Sequence, residues 1–369
     1  MKKTLLTIAL AACALSASAQ GYRFTDIVRN AATPVKDQAR TGTCWCFGTV
    51  SFLESELLRT GKGEYDLSEM SVVRQKYINQ LNDYYLRRGQ GSLSPGSLPH
   101  TALNAIRVAG ILPEEVYNGI GYDSDHHDHG ELGRYIGSLA KTAVDAKKRS
   151  PEYYEMLESV LDIYLGEKPA SFSYYGRTYT AESFWKNLGL NLDDYVEITS
   201  FSHKPFYTAI EVEVPDNWEH ERMYNLPLDE MMDVMDKALL AGYTISWDGD
   251  VSEKGFVHKS GLAINPTEKA MEEALTFKKP CEEIKVDQAV RQAGYENFTT
   301  TDDHIMHVTG MVKDQNGTIY YITKNSWGPD SNSTGGYLNM SESFVRAKTI
   351  CFMVHKNAIP KEIRAKLGL

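Results

Sequence analysis

The sequence predicts an α+β protein that is large enough for two hydrophobic cores. After removal of the first 19 residues, 350 of the 369 remain (369 minus 19), and 42% of the chain is hydrophobic, which suits a globular protein with two cores. Apolar residues recur at spacings of three and four over 47–57, which predicts a helix that starts near Cys44. Residues 325–328, Asn-Ser-Trp-Gly, are typical of a strand end that enters a glycine turn.

The amino-terminal residues predict a cleaved export signal. Lys2 and Lys3 precede an apolar run over 5–15, and small residues lead up to Ala19. This pattern is typical of a secretory signal peptide, residues 1–19, that is cut after Ala19. A competing interpretation takes residues 10–13 as a lipoprotein box that leaves Cys13 lipidated. The run is too short for a membrane span and no later stretch of about 18 apolar residues exists, so we expect export without a transmembrane anchor.

Charge and cysteine content exclude several classes of protein. The formal charge is -10, and it becomes -12 when the two lysines of the leader are removed (-10 minus 2), which argues against nucleic acid or an anionic membrane as a partner. Five cysteines do not make a disulfide scaffold. We expect Cys46 to be a packing residue, and a bond between Cys281 and Cys351 is an alternative that the sequence leaves open.

Cys44 has the local context of a reactive thiol. A thiol with its ordinary pKa of about 8.5 is mostly protonated at neutral pH. The predicted helix would place Cys44 at a helix N-terminus, where unpaired N–H groups and the macrodipole favour the thiolate. Gln38 lies six residues earlier. Its side-chain amide and the Cys44 backbone N–H are candidate donors to an oxyanion.

A candidate base and its orienting group follow much later in the chain. An imidazolium at His304 would pair with the thiolate and protonate a leaving amine, and Asn325 would orient the imidazole as third member of a triad. We expect Trp327 to lie over the His304–Asn325 contact and exclude water. His307 is an alternative base, but in a strand an odd offset places it on the opposite face. Each residue alone fits a structural role, and it is their joint occurrence that predicts catalysis.

These residues resemble the papain-like cysteine peptidases. The motifs that carry the resemblance are Gln38, Gly42, Cys44-Trp45, Asp303-His304 and 325–328. Within that group the chain is most similar to the bleomycin hydrolase and aminopeptidase C branch, because 260 residues (304 minus 44) separate Cys44 from His304, against about 130 to 150 in compact members. Segments that also resemble the family or this branch are 66–70, 184–185, 192–196, 225–240, 304–306 and 335–338.

The resemblance implies a papain-like two-domain fold. A helical domain would carry Cys44, a β-rich domain would carry His304 and Asn325, and the cleft would lie between them. The implied peptidase domain is 20–369, with a large, mostly helical insertion in the middle region of about 120–300 and the β-rich part at about 301–357. Gly96 stands where the family binds the substrate backbone, although an ordinary turn is an equal alternative.

Two departures from the family pattern bear on specificity. Thr41 replaces a cysteine of the compact enzymes, so that disulfide cannot form, as in the branch itself. Aminopeptidases of the branch carry a C-terminal arm whose carboxylate receives the substrate amine. The sequence ends with 359–369, short of that arm, which leaves exo and endo action as open alternatives.

The cluster Asp123–His129 allows a metal interpretation, because histidines and carboxylates are ligands for zinc-like ions. No ligands at fixed helical spacing bracket it. We therefore expect a polar surface loop, and the sequence predicts no metal and no cofactor.

The function predicted is that of an exported cysteine peptidase that acts through a thioacyl intermediate, as an aminopeptidase of the bleomycin hydrolase type. Open-cleft endopeptidase and acyl transferase are the alternatives, and a non-catalytic binding protein is disfavoured because Cys44, His304 and Gln38 are all present. The expected partner is a peptide or small-protein substrate. Members of the branch often form hexamers, so a homo-oligomer is consistent with the resemblance.

Overall fold

A computed structural model describes residues 21–121 and 124–369. The predicted signal peptide, with its cleavage point at Ala19 and the alternative lipid site at Cys13, lies outside the described residues. Asp123 of the candidate metal cluster lies outside them as well.

Helices dominate the first half of the described chain, and most strands lie in the second half. The helices are α1 Cys44–Arg59, α2 Glu69–Leu86, α3 Pro99–Ala109, α4 Gly130–Asp145, α5 Tyr153–Leu165, α6 Ala181–Leu188, α7 Leu228–Leu240, α8 Met271–Ala274, α9 Gln288–Glu296, α10 Glu342–Lys348 and α11 Lys361–Leu367. The strands are β1 Thr25–Arg29, β2 Phe172–Tyr174, β3 Arg177–Tyr179, β4 Tyr195–Thr199, β5 Thr208–Glu211, β6 Arg222–Asn225, β7 Ile245–Gly249, β8 Phe256–Val257, β9 Leu262–Ala263, β10 His304–Lys313, β11 Ile319–Lys324, β12 Tyr337–Ser341 and β13 Thr349–His355.

The helical domain is built around α1, which begins at Cys44 as the apolar spacing predicts. Trp45, Val50, Leu53 and Leu57 of this helix are fully buried. They join a core formed largely by side chains of α1 to α6. A helix buried on nearly all sides is held rigidly by its neighbours, so the position of Cys44 at its amino end is well defined.

The β-rich domain is a mixed sheet in the order β5-β6-β4-β13-β7-β10-β11-β12-β9-β8, with β1 also paired to β10. Most neighbouring strands are antiparallel, and β4/β6 and β9/β12 are parallel. A second core packs α7, α10 and α11 against this sheet. Two cores in one α+β chain confirm the predicted fold class, and β10 places His304 at the start of a central strand.

The middle region of about 120–300 does not form one separate helical body. Its first part contributes α4, α5 and α6 to the helical domain, and its second part contributes strands β4 to β9 to the main sheet. In particular, β7 pairs directly with β10, with Asp248 opposite Ile305. The sequence does not indicate these strands individually, because short strands lack a strong periodic signal.

The two domains meet where α1 lies against the start of β10. A Cβ atom at Gly48 would lie 2.8 Å from Cγ2 and 3.2 Å from the carbonyl oxygen of Ile305. Only glycine permits so close an approach of helix and strand. This contact places the amino end of α1 beside His304.

The other cysteines of the described chain form no disulfide. Cys46, Cys281 and Cys351 are free thiols, so the pairing of Cys281 with Cys351 is not formed. Helix α11 packs into the second core, and its Lys366 pairs with Glu230 of α7 at 2.8 Å.

Among the described residues, no helix is long and apolar enough to span a membrane.

Candidate active site

Cys44 is the first residue of α1, and its thiol faces the strand that begins at His304. The preceding residue, Thr43, makes no side-chain cap. The N–H groups of Cys44 and Trp45 have no acceptor within the helix, whereas that of Cys46 donates to the Thr43 carbonyl oxygen at 2.9 Å. The backbone of Ile305 hydrogen-bonds the sulfur in the sense that favours the thiolate. Cys44 is partly accessible to solvent, as a nucleophile must be.

His304 and Asn325 form a direct hydrogen bond. The imidazole Nε2 lies 2.7 Å from Oδ1 of Asn325, in a buried setting. An amide oxygen can only accept, so Nε2 carries the proton and Nδ1 is left with its lone pair. Oδ1 also accepts from the Ser326 N–H at 2.8 Å. The structure thus brings the predicted base and its orienting amide together in the tautomer that a triad requires.

His258 also touches this pair, and the sequence analysis missed it. Nδ2 of Asn325 lies 3.2 Å from Nδ1 of His258, whose Nε2 lies 2.7 Å from Oγ of Ser331. The amide of Asn325 is therefore held at both ends, with its oxygen directed at His304. No local motif surrounds His258, and the residue lies 67 positions before Asn325, so no sequence signal could have found it.

Trp327 lies against the imidazole of His304. The ring centroids are 4.9 Å apart with an interplanar angle of 30°, and the same indole meets the ring of His258 edge-on at 4.9 Å. This is the shielding position expected from the sequence. The indole reduces the access of water to the His304–Asn325 hydrogen bond.

Gln38 is fixed by both ends of its side chain. Oε1 accepts from Oγ of Ser326 at 2.7 Å, and Nε2 donates to the carbonyl oxygen of Thr41 at 2.8 Å. An amide nitrogen has two N–H bonds, so one remains for a developing oxyanion. The backbone N–H of Gln38 also donates to the Ser326 carbonyl at 2.8 Å, which ties the oxyanion candidate to the Asn325 segment.

Burial disfavours the charged forms of both Cys44 and His304. Burial raises the pKa of Cys44 to about 12 and lowers the pKa of His304 to about 4. Desolvation thus outweighs the helix N-terminus for the isolated thiol. Proton transfer from Cys44 to His304 creates both charges together, and their attraction offsets that cost.

Gly96 lies in the cleft but its N–H is already engaged. That N–H donates to Oγ of Ser94 at 3.1 Å. A Cβ atom at Gly96 would lie only 1.9 Å from Oδ2 of Asp216. Glycine at this position therefore makes room for a carboxylate, which is a different reason for it than the contact with substrate backbone that the resemblance implied.

His307 and the histidine cluster lie away from the triad. Nδ1 of His307 lies 2.8 Å from Oγ of Ser51 in the interior, and its hydrogen bond is with α1 rather than Asn325. In the cluster, His129 is buried with Nδ1 3.0 Å from the Tyr77 hydroxyl, so this end of the segment is not a surface loop. Within 21–121 and 124–369, no three His, Cys, Asp or Glu side chains are placed to hold a metal ion.

The fold and this site define a cysteine peptidase of the papain-like class. The chain belongs to the Peptidase C1-like family, whose model matches residues 156–368. The model of the papain family of cysteine proteases matches residues 23–177. The first match covers more than half of the chain and includes His304 and Asn325, and the second includes Gln38 and Cys44.

Relatives and one solved structure agree with this assignment. The chain is 24% identical to aminopeptidase C of Streptococcus thermophilus over 89% of this chain and 81% of that protein. It is 21% identical to aminopeptidase G of Lactobacillus delbrueckii subsp. lactis over 89% and 82%. The crystal structure of PepW from Lactobacillus rhamnosis HN001 matches 93% of this chain and 84% of its own, with a TM-score of 0.73 and 20% identity. That likeness establishes the shared fold.

Proposed function

We propose that the protein is an aminopeptidase that uses Cys44, His304 and Asn325 as its catalytic triad. The observation that carries the proposal is the 2.7 Å hydrogen bond from His304 to Asn325 beside a helix that begins at Cys44. The names of the two relatives, aminopeptidase C and aminopeptidase G, support exopeptidase action. Peptides are accordingly the proposed substrates.

Acylation follows from the geometry of the side chains. The sulfur of Cys44 attacks the scissile carbonyl carbon while Nδ1 of His304 holds the thiol proton. The carbonyl oxygen gains negative charge, and the free N–H of Gln38 together with the Cys44 backbone N–H stabilises it. Collapse of the tetrahedral intermediate breaks the C–N bond, and His304 delivers the proton to the leaving amine. A thioester on Cys44 remains.

Deacylation reverses the roles with water as the nucleophile. Nδ1 of His304 accepts a proton from the water as its oxygen attacks the thioester carbon. The same donors hold the second oxyanion. The C–S bond then breaks, and the proton returns to the sulfur. Asn325 and His258 keep the imidazole oriented through both half-reactions.

Aminopeptidase action predicts a requirement for a free amine. We expect purified protein, in the presence of thiol reductant, to cleave leucyl-aminomethylcoumarin about 10- to 100-fold faster than its N-acetyl counterpart, because an unmade charged hydrogen bond costs about 1.5 to 3 kcal/mol. Release of the coumarin gives kcat/KM for both substrates. Equal cleavage of the two substrates would identify an open-cleft endopeptidase instead. If the substrate is consumed only when a second amine is added, and the product is an amide of that amine, the protein is an acyl transferase.

We also propose that the protein is exported after cleavage at Ala19. The proposal is supported by the basic start, the apolar run and the small residues of the leader. Expression in a Gram-negative host with subcellular fractionation is expected to give a soluble exported protein whose first residue is Gln20. An amino terminus at a lipid-modified Cys13 in the membrane fraction would contradict this and establish the lipoprotein alternative.

A further inference from the structure

Three carboxyl groups from separate segments converge beside the thiol. Asp216 lies in the loop between β5 and β6, Asp248 lies on β7, and Asp302 precedes β10 by two residues. The charges of all three are close enough to Cys44 to raise its pKa, after the larger effect of burial. This set, Asp216, Asp248 and Asp302, is the acid triplet.

The acid triplet forms one wall of the cleft. The carboxyl groups of Asp248 and Asp302 lie close enough together to shift each other's pKa, and, after the larger effect of burial, the charge of Asp216 raises the pKa of both. Asp248 also stands opposite Ile305 in the sheet. Since the backbone of Ile305 bonds the sulfur of Cys44, this wall lies directly beside the nucleophile.

The loop that carries Asp216 is anchored on the opposite side of the cleft. Oγ of Ser94 lies 3.3 Å from Oδ1 of Asp216, and Nε1 of Trp218 donates to Oγ of Ser97 at 2.8 Å. Both partners precede α3 of the helical domain. The absent side chain of Gly96 leaves the space that Oδ2 of Asp216 occupies. The carboxylate is thus held over the cleft by both domains.

The acid triplet has too little positive charge around it. Oδ1 of the fully buried Asp248 and Oδ2 of Asp302 have no hydrogen-bond partner in the described part of the chain. Among the described residues, the largest charge effects on Asp248 and Asp302 come from other carboxylates, and that on Asp216 comes from the buried Lys76. By contrast, nearby Glu197 is paired with His100 at 2.9 Å.

The protonation of the acid triplet reflects this shortage of cations. Burial, with the charge of Asp216, raises the pKa of Asp302 to about 7. Burial also raises the pKa of Asp248 well above its usual range and raises that of Asp216. A bound cation would lower all three pKa values and offset the desolvation free energy of the buried carboxylates. Such a site is incomplete without a positively charged ligand.

We propose that Asp216 and Asp302, backed by Asp248, bind the α-ammonium group of the peptide substrate. An ammonium group has three N–H donors, and the oxygens of two carboxylates can accept their hydrogen bonds. Its positive charge complements the carboxylates of the wall that faces the nucleophile. The inference rests on the proposed aminopeptidase function and names the residues that confer it. It assigns recognition of the amine to carboxylates within the cleft wall of this chain.

The test removes one charge at a time while keeping side-chain shape. For Asp216→Asn and Asp302→Asn we expect kcat/KM for leucyl-aminomethylcoumarin to fall about 10- to 100-fold, mainly through KM. Cleavage of the N-acetylated substrate should stay unchanged or rise. Asp145→Asn, which removes one charge from the exposed end of α4, is the matched control. Equal losses on both substrates, or no loss, would overturn the assignment.

Binding to a Cys44→Ala background separates recognition from chemistry. Calorimetry with the peptide Leu-Gly-Gly should show affinity about 10- to 100-fold weaker when Asp216→Asn or Asp302→Asn is added. The affinity for acetyl-Leu-Gly-Gly should be the same with and without these substitutions. Thermal unfolding checks that each variant is folded. A selective loss for acetyl-arginyl substrates would overturn the assignment in favour of a basic side-chain pocket. Wild-type protein without preference for the free amine would refute the proposed function itself, and this inference with it.

Discussion

Replacing Cys44 with alanine is expected to lower kcat/KM for peptide hydrolysis by at least about 10⁴-fold, the largest effect of any single substitution in this chain. Alanine removes the only atom that can form the thioester and leaves the fold of α1 unchanged, because alanine has high helix propensity. The measurement is the hydrolysis of leucyl-aminomethylcoumarin under reducing conditions. Mass spectrometry after treatment with a substrate-like electrophile should show a single adduct on the wild type and none on the variant.

Cys46→Ala is the matched control for this prediction. Cys46 lies on the same helix, is fully buried, and its thiol contacts the backbone carbonyl of Glu69 at 3.3 Å. Its loss should affect stability modestly and leave the adduct at Cys44. Residual hydrolysis by Cys44→Ala at a rate comparable with the wild type would mean that another group performs the reaction.

Replacing His304 with glutamine is expected to move the alkylation of Cys44 into the alkaline range. Without the imidazole, nothing offsets burial, which raises the pKa of the thiol to about 12. A raised thiol pKa means that thiolate is lost as pH falls, so the thiolate fraction at pH 7 would be on the order of 10⁻⁵. In the wild type, we expect transfer of the proton to His304 to supply thiolate at neutral pH without net change in charge.

The measurement is the rate of reaction with iodoacetamide from pH 5 to 10. We expect reaction of the wild type at neutral pH, and for His304→Gln a rate at pH 7 that is at least about 100-fold lower and that increases with every step in pH. His220→Gln, which changes an exposed histidine paired with Glu211, should behave as the wild type. Identical pH profiles for wild type and His304→Gln would show that the helix N-terminus alone activates the thiol.

Local sequence determined the chemical groups of the site. The apolar spacing predicts the helix that begins at Cys44, and the segment that carries Asn325 ends in a glycine turn. Both can therefore be predicted from neighbouring residues. The co-occurrence of Gln38, Cys44, His304 and Asn325 then defined the family. The charge state of the thiol also depends on burial, which local sequence does not reveal because desolvation depends on every surrounding segment.

Tertiary structure alone decided which distant groups complete the site. His258 holds the amide of Asn325, and Asp216, Asp248 and Asp302 form a wall beside Cys44, although no motif marks any of the four. Their positions follow from pairing of β7 with β10 and from a loop anchored across the cleft. Strand register and interdomain packing are set by contacts between residues far apart in the chain. The sequence by itself therefore determined the reaction, and the packing of the two domains decided what surrounds it.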